Sequence, residues 1–145
     1  MFKFRLPKNL NIRIFITKCM KIAISTTSGG LNDKVSDVFG RAVSFTIVEV
    51  ENGEIKNIEI VRNDFAVRGG GAGVAVSQFL IDKGVEVVLT GNVGPNALAV
   101  LNSAGVKIYR AGGLNVKEAI EKFLKGELEQ ITSPSEPKFG RHRRI

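Results

Sequence analysis

An Asn-Gly pair at positions 52 and 53 places the strongest constraint on how this chain can fold. It separates two runs rich in β-branched residues, 43–50 and 55–61, with Glu51 and Glu54 directly beside it. Both central residues of a type I′ turn need a positive φ angle, and Asn and Gly adopt one at the lowest cost. The pattern therefore predicts an antiparallel β-hairpin.

The sequence after the hairpin alternates between helix-like and strand-like segments. Short apolar runs at 85–90 and 106–109 indicate buried strands. Pro95 favours a helix start, and Asn115 is suited to cap a last helix that ends at Gly126. The remaining helix ends at Gly84, and its predicted apolar face consists of Val74, Ala75, Phe79 and Leu80.

A first buried strand at 21–25 completes the element order β-β-β-α-β-α-β-α. A hairpin followed by such units predicts an α/β fold, with a mixed sheet and helices on its faces. This element order is the one seen in ribonuclease H-like folds.

The charge divides the chain into three parts. The net charge is +7, yet residues 1–19 carry +5 and residues 138–145 carry +4, so that the stretch between them carries −2. We expect a basic leader at 1–19, a folded domain at 20–130 and a disordered basic tail at 131–145. The basic ends predict non-specific, salt-sensitive contact with polyanions.

Two interpretations of the leader stay open. Met20 is the true start and the leader is not native, which we favour, or Ile12, Ile14 and Ile16 form an added edge strand. Cys19 is the single cysteine, which excludes an intrachain disulfide. With no signal-peptide or membrane-span pattern, we expect a cytoplasmic protein.

Two glycine-containing loops precede predicted helices. Four glycines, Gly69, Gly70, Gly71 and Gly73, follow Arg68, so bare N–H groups and a helix dipole could hold an anion beside a permanent cation. The alternative is a flexible loop whose glycines permit close packing. The second loop follows a buried strand, as ligand-binding loops of α/β sheets do. It supplies Gly91, Asn92, Gly94 and Asn96; the alternative here is a well-capped turn.

Arg41 precedes the second strand and is the third part of the predicted site, although it could equally be a surface arginine. We expect Arg41, the Arg68 loop and the Gly91 loop to converge on one ligand. Loops more than about 15 Å apart would exclude a shared site.

Residues for catalysis are absent from the expected positions. The first strand carries no acid for a two-metal nuclease site, and the single histidine, His142, lies in the tail. No Cys/His spacing suits zinc, and the metal ligands, if any, stay unknown. We therefore expect a binding protein that is not an enzyme.

Several motifs in order resemble the dinitrogenase iron-molybdenum cofactor biosynthesis family over about residues 20–130. They begin at Met20-Lys21-Ile22-Ala23-Ile24, Val38-Phe39-Gly40-Arg41-Ala42 and the Gly-rich loop. They continue with Thr90-Gly91-Asn92-Val93-Gly94-Pro95-Asn96-Ala97, Ala104-Gly105-Val106-Lys107-Ile108-Tyr109 and Gly126-Glu127-Leu128.

This resemblance implies a ribonuclease H-like fold and a non-catalytic carrier of an iron-sulfur or iron-molybdenum-type cluster. The domain at 20–130 contains neither Cys nor His. A cluster would have to be held mainly as an anion, by N–H groups and arginines, or by ligands shared between chains. The alternative function is a phosphate- or nucleotide-type small-molecule binding domain.

Overall fold

The computed structural model describes residues 19–67 and 71–133. The strands are β1 (Cys19–Thr26), β2 (Ser44–Glu51), β3 (Glu54–Arg62), β4 (Val87–Thr90) and β5 (Lys107–Arg110). The α-helices are α1 (Ala72–Asp82), α2 (Pro95–Ser103) and α3 (Val116–Leu124), and a 3-10 turn spans Asp64–Val67. The predicted α/β class and element order are confirmed.

The five strands form one mixed sheet in the order β3-β2-β1-β4-β5. β2 is antiparallel to both β1 and β3, whereas β4 is parallel to β1 and β5 is parallel to β4. The predicted hairpin joins β2 and β3, with Glu51 opposite Glu54. Asn52 and Gly53 have φ angles of 56° and 83°, as a type I′ turn requires.

Helices cover both faces of the sheet. Val76 and Leu80 of α1 and Leu101 of α2 pack on one face, whereas Ile120 of α3 packs on the other. Each of these side chains is at most 1% exposed, and burying one stabilises the fold by about 1.5–3 kcal/mol.

The predicted apolar face of α1 is partly wrong. Val74 is 37% exposed, whereas Val76 is 1% exposed. The reason is the contact between α1 and α2: a Cβ built on Gly73 would lie 3.1 Å from Cβ of Ala97. This contact turns the Gly73 side of the helix towards α2 and leaves Val74 outside.

The predicted helix boundaries at α2 and α3 are confirmed. Pro95 is the first residue of α2. The side chain of Asn115 caps α3, because its Oδ1 accepts hydrogen bonds from the N–H groups of Lys117 and Glu118 at 3.0 and 3.5 Å. Within the described residues, no helix is long and apolar enough to cross a membrane.

The folded part extends beyond the predicted boundary at residue 130. Ile131 is 2% exposed and donates its N–H to the carbonyl of Ile108 at 2.7 Å. A buried apolar side chain beside β5 therefore lies in the segment predicted to be tail. The remainder of the tail, from 134 onward, and residues 1–18 of the leader lie outside the described residues, and Cys19 opens β1.

Candidate functional site

A pocket of about 360 Å³ lies at the carboxyl end of the sheet. The parallel strands β1 and β4 end there, at Thr26 and Thr90. The residues that line the pocket are Val38, Phe39, Gly40, Arg41, Gly71, Ala72, Gly73, Val74, Asn92, Gly94, Pro95, Asn96 and Ala97. They come from the loop before β2, from the loop after β4 and from the N-terminal ends of α1 and α2.

Three backbone segments meet at the base of this pocket through small residues. A Cβ built on Gly40 would lie 2.9 Å from both Cα and N of Gly73. Gly73 in turn lies against Ala97. Larger side chains at these positions would separate the walls, so the small residues allow the pocket to form.

Both helices that open onto the pocket lack a side-chain cap. Gly71 and Gly94 are the N-cap residues of α1 and α2, and neither helix has a side-chain cap hydrogen bond. The first N–H groups of a helix have no acceptor within the helix, and the dipole makes that end positive. α3, which starts away from the pocket, is capped by Asn115. Polar N–H groups at the pocket are thus left to be satisfied by something other than a capping side chain.

Arg41 adds a permanent positive charge to the pocket wall. Its Nη1 donates a hydrogen bond to the carbonyl oxygen of Ala66 at 2.7 Å, in the 3-10 turn that precedes the glycine loop. Asn92 and Asn96 contribute polar side chains to the same wall, and both are exposed. The described lining of the pocket therefore combines one positive charge with two side-chain amides and two helix N-termini.

Arg41 and the described parts of the two loops lie around one pocket. Arg41, Gly71, Gly73, Asn92, Gly94 and Asn96 all line this pocket. Arg68, Gly69 and Gly70 lie outside the described residues. What binds there stays a prediction.

Gly91 was expected to lie at the ligand, but it packs against the loop of Ser36 and Asp37. Its N–H donates to the carbonyl of Ser36 at 3.1 Å, and the N–H of Asn92 donates to that of Asp37 at 2.7 Å. A Cβ on Gly91 would lie 2.5 Å from Cα and O of Asp37. The N–H of Gly91 is thus used by the main chain, and this glycine permits a close approach between two loops behind the pocket.

Buried hydroxyl groups fix the loop that forms the Val38 wall. The hydroxyls of Ser25 and Thr90 lie 2.7 Å apart, and both residues are fully buried. One hydroxyl donates to the other, and the second donates to a loop carbonyl: the Ser25 hydroxyl oxygen lies 3.2 Å from the carbonyl oxygen of Ser36, and the Thr90 hydroxyl oxygen lies 3.4 Å from that of Val38. The ends of β1 and β4 therefore hold the loop in place.

Asp33 stabilises the neighbouring loop after β1. Partial burial acts to raise the pKa of this carboxyl, but hydrogen bonds from the N–H groups of Gly29, Thr27 and Lys34 and from the Thr27 hydroxyl outweigh it, so the pKa lies below its usual value. The bonds from Gly29, Thr27 and Lys34 are 2.8–2.9 Å long. Asp33 is therefore a structural carboxylate at neutral pH.

Among the described residues, no group of three or more His, Cys, Asp or Glu side chains could hold a metal ion. Cys19 is exposed and opens β1, at the end of the sheet opposite the pocket. An eight-residue strand is on the order of 20 Å long, so this thiol is remote from the pocket.

Sequence reasoning did not assign several pocket residues to the site, although Val38, Gly40 and Ala97 lie in the motifs that carry the family resemblance. Gly40 and Ala97 have no local signal beyond their size, because their contacts with Gly73 join segments far apart in the chain. Val38 and Val74 are apolar residues that line the mouth, at 45% and 37% exposure. The signal available for Val74 was its position next to a glycine loop. Because it is apolar, Val74 was interpreted as part of the core.

Known proteins share this architecture. A protein of Methanocaldococcus jannaschii is 37% identical over 119 residues, which is 82% of this chain and 98% of that protein. The orange protein of Desulfovibrio gigas, solved in its apo form, has 33% identity and a TM-score of 0.75 over 83% of this chain and 99% of its own.

A Thermotoga protein proposed to be a NifB protein has 42% identity and a TM-score of 0.69, over 81% of this chain and 97% of its own. The family model for the dinitrogenase iron-molybdenum cofactor matches residues 20–126. This match covers both loops of the pocket and most of the sheet. The chain therefore belongs to the dinitrogenase iron-molybdenum cofactor family.

Proposed function

We propose that this protein binds and carries an anionic metallocofactor, of the iron-sulfur or iron-molybdenum type, in the pocket between α1 and α2. The observation that carries the proposal is the pair of helix N-termini without side-chain caps, which open onto one pocket beside Arg41. Family membership and the similarity to the orange protein support a cofactor as the ligand.

The residues of the pocket suit an anionic cluster that keeps its own inorganic ligands. N–H groups and Arg41 can donate hydrogen bonds to sulfide or oxide atoms, and charge-assisted bonds of this kind contribute about 1.5–3 kcal/mol each. The described residues of the pocket lining supply no thiolate or imidazole. Direct ligation by this chain is therefore not part of the proposal, and the cluster is cargo held by charge and shape.

The proposal includes four finer statements from the sequence. We expect the protein to act without catalysis and in the cytoplasm, and Arg68, Gly69 and Gly70 to complete the site. We also propose that the fold is ribonuclease H-like; the strand order β3-β2-β1-β4-β5 with an antiparallel β2 supports this.

Anaerobic reconstitution tests the proposed function. The protein is incubated with iron(II) and sulfide, with and without molybdate, then desalted without oxygen and analysed for visible absorption and bound metal. Retained charge-transfer absorption with stoichiometric metal supports a metallocofactor. Loss of all metal, together with an increase in melting temperature on adding inorganic phosphate or a nucleotide, would instead support the small-molecule binding function.

A matched pair of variants locates the site. Asn96→Asp puts a negative charge in the first turn of α2, at the pocket, and Asn102→Asp makes the same change near the end of that helix. The charge at position 96 should weaken retention of the cluster about tenfold. The same charge should stabilise α2 by about 0.3–1 kcal/mol, because it interacts favourably with the helix dipole. Equal retention by the two variants would place the ligand elsewhere.

A further inference from the structure

Asn63 is a buried polar residue directly after β3, and it is 7% exposed. Its side-chain Nδ2 donates to the carbonyl oxygens of Gly40 and Ala42, at 3.0 and 2.8 Å. Its Oδ1 accepts a hydrogen bond from the N–H of Phe65 at 3.0 Å. The amide therefore joins the loop before β2 to the 3-10 turn.

The surroundings of Asn63 define the orientation of its amide. Two carbonyl oxygens face Nδ2 and one N–H faces Oδ1, so exchanging the two atoms would oppose acceptor to acceptor and donor to donor. The N–H of Asn63 also donates to the carbonyl of Val43 at 3.0 Å. The residue is thus held at both its backbone and its side chain.

The two carbonyls that Asn63 binds belong to the residues on either side of Arg41. The guanidinium of Arg41 bonds to Ala66, which is three residues after Asn63. The turn from Asn63 to Ala66 therefore holds Arg41 twice, through the neighbouring peptide groups and through Nη1. An arginine held in this way loses less conformational entropy when it binds an anion.

We propose that Asn63 is a positioning residue that fixes Arg41 at the pocket wall. The effect of Asn63 on cluster binding rests on the proposed function. Asn63 does not line the pocket. Its effect on the ligand passes through Arg41, and the cation is placed before the anion arrives.

Asn63→Asp is the sharpest variant because it keeps the acceptor for Phe65 and removes the two donors to Gly40 and Ala42. Asn57→Asp, on the exposed surface of β3, is the matched control. Asn63→Ala is a second variant that removes the bonds without adding a charge, should Asn63→Asp fail to fold.

The first measurement needs no ligand. NMR of the Arg41 side chain gives the rate of rotation about its Nε–Cζ bond, and we expect Asn63→Asp to increase this rate about tenfold, as for loss of one hydrogen bond. Asn57→Asp should match wild type. An unchanged rate in a folded Asn63 variant would overturn the positioning role.

The second measurement is retention of the iron-sulfide absorption after desalting. We expect about tenfold weaker retention in Asn63→Asp and no further loss when Arg41→Ala is added, because the two residues act through one contact. Additive losses overturn the inference, since Asn63 would then act independently of Arg41. If wild type retains no cluster, the proposed function fails, whereas the rotation rate still decides the role of Asn63.

Discussion

The two ends of the sheet use glycine for different purposes. At the end where the hairpin lies, Gly53 and Gly105 have positive φ angles, and a Cβ at either position would meet nothing within 4 Å. At the carboxyl end, Gly40 and Gly91 lie against main chain from distant segments, with Cβ distances of 2.9 and 2.5 Å. Gly53 and Gly105 thus serve local turns, whereas Gly40 and Gly91 serve long-range packing, which at Gly40 also forms the pocket.

This difference explains which features a sequence can predict. The Asn52-Gly53 turn and the Asn115 cap depend on residues within three positions of each other, so their patterns were sufficient. Gly91 was selected correctly as an unusual residue but for the wrong reason, because its contact with Asp37 is invisible in the sequence.

The largest expected effect is that of Gly91→Ala. Its Cβ would lie 2.5 Å from Cα and O of Asp37, and neither main-chain segment can move without breaking the bonds at Ser36 and Asp37. Overpacking of this kind costs about 3 kcal/mol in unfolding free energy, measured by chemical denaturation.

Gly94→Ala is the control for Gly91→Ala, since a Cβ there meets nothing within 4 Å and φ is −77°. It should cost at most about 1 kcal/mol. Equal losses of unfolding free energy in the two variants would mean that the close approach of Gly91 to Asp37 does not cause the destabilisation.

Gly40→Ala should have the next largest effect and should act on the pocket as well as on stability. Its Cβ would lie 2.9 Å from two main-chain atoms of Gly73, so the loop and α1 must separate. We expect a loss of about 2 kcal/mol and weaker retention of the reconstituted iron-sulfide absorption. A crystal structure of the variant with an unchanged distance between Gly40 and Gly73 would contradict this account.

Gly53→Ala changes the other end of the sheet and should separate stability from binding. A non-glycine residue at φ 83° is strained, and we expect a cost of about 1 kcal/mol in unfolding free energy. The hairpin turn lies at the end of the sheet away from the pocket, so retention of the iron-sulfide absorption should equal that of wild type. If the variant is fully folded but retains less iron-sulfide absorption, the two ends of the sheet are coupled.

How much of the site was predictable also follows from the comparison. Arg41, Asn92 and Asn96 were predicted because a cation or amide beside a glycine loop is a chemical signal that needs no tertiary contact. Asn63 was missed because an asparagine after a strand is typical of an ordinary turn. Only the structure shows that its amide bonds to Gly40 and Ala42, about twenty residues earlier.

The smallest expected effect is that of Asp33→Asn, which tests whether a local turn at the carboxyl end behaves like those at the hairpin end. The folded pKa of Asp33 is lowered, so its carboxylate stabilises the fold above the unfolded pKa, near pH 4, and this contribution disappears as pH falls through the folded pKa. The variant should lose less than about 1 kcal/mol at pH 7, because the carboxylate is only partly shielded from solvent.

The difference in unfolding free energy between wild type and Asp33→Asn should therefore stay constant from about pH 8 to pH 5 and shrink below about pH 4. Asp82→Asn, in the last turn of α1, removes the same charge and serves as the control. Because the carboxylate of Asp33 accepts its hydrogen bonds from Thr27, Gly29 and Lys34 in its own loop, its loss should leave the pocket walls and the retention of the iron-sulfide absorption unchanged. If the difference in unfolding free energy grew as the pH fell, the folded loop would favour a protonated Asp33, and the expected pH dependence would be wrong.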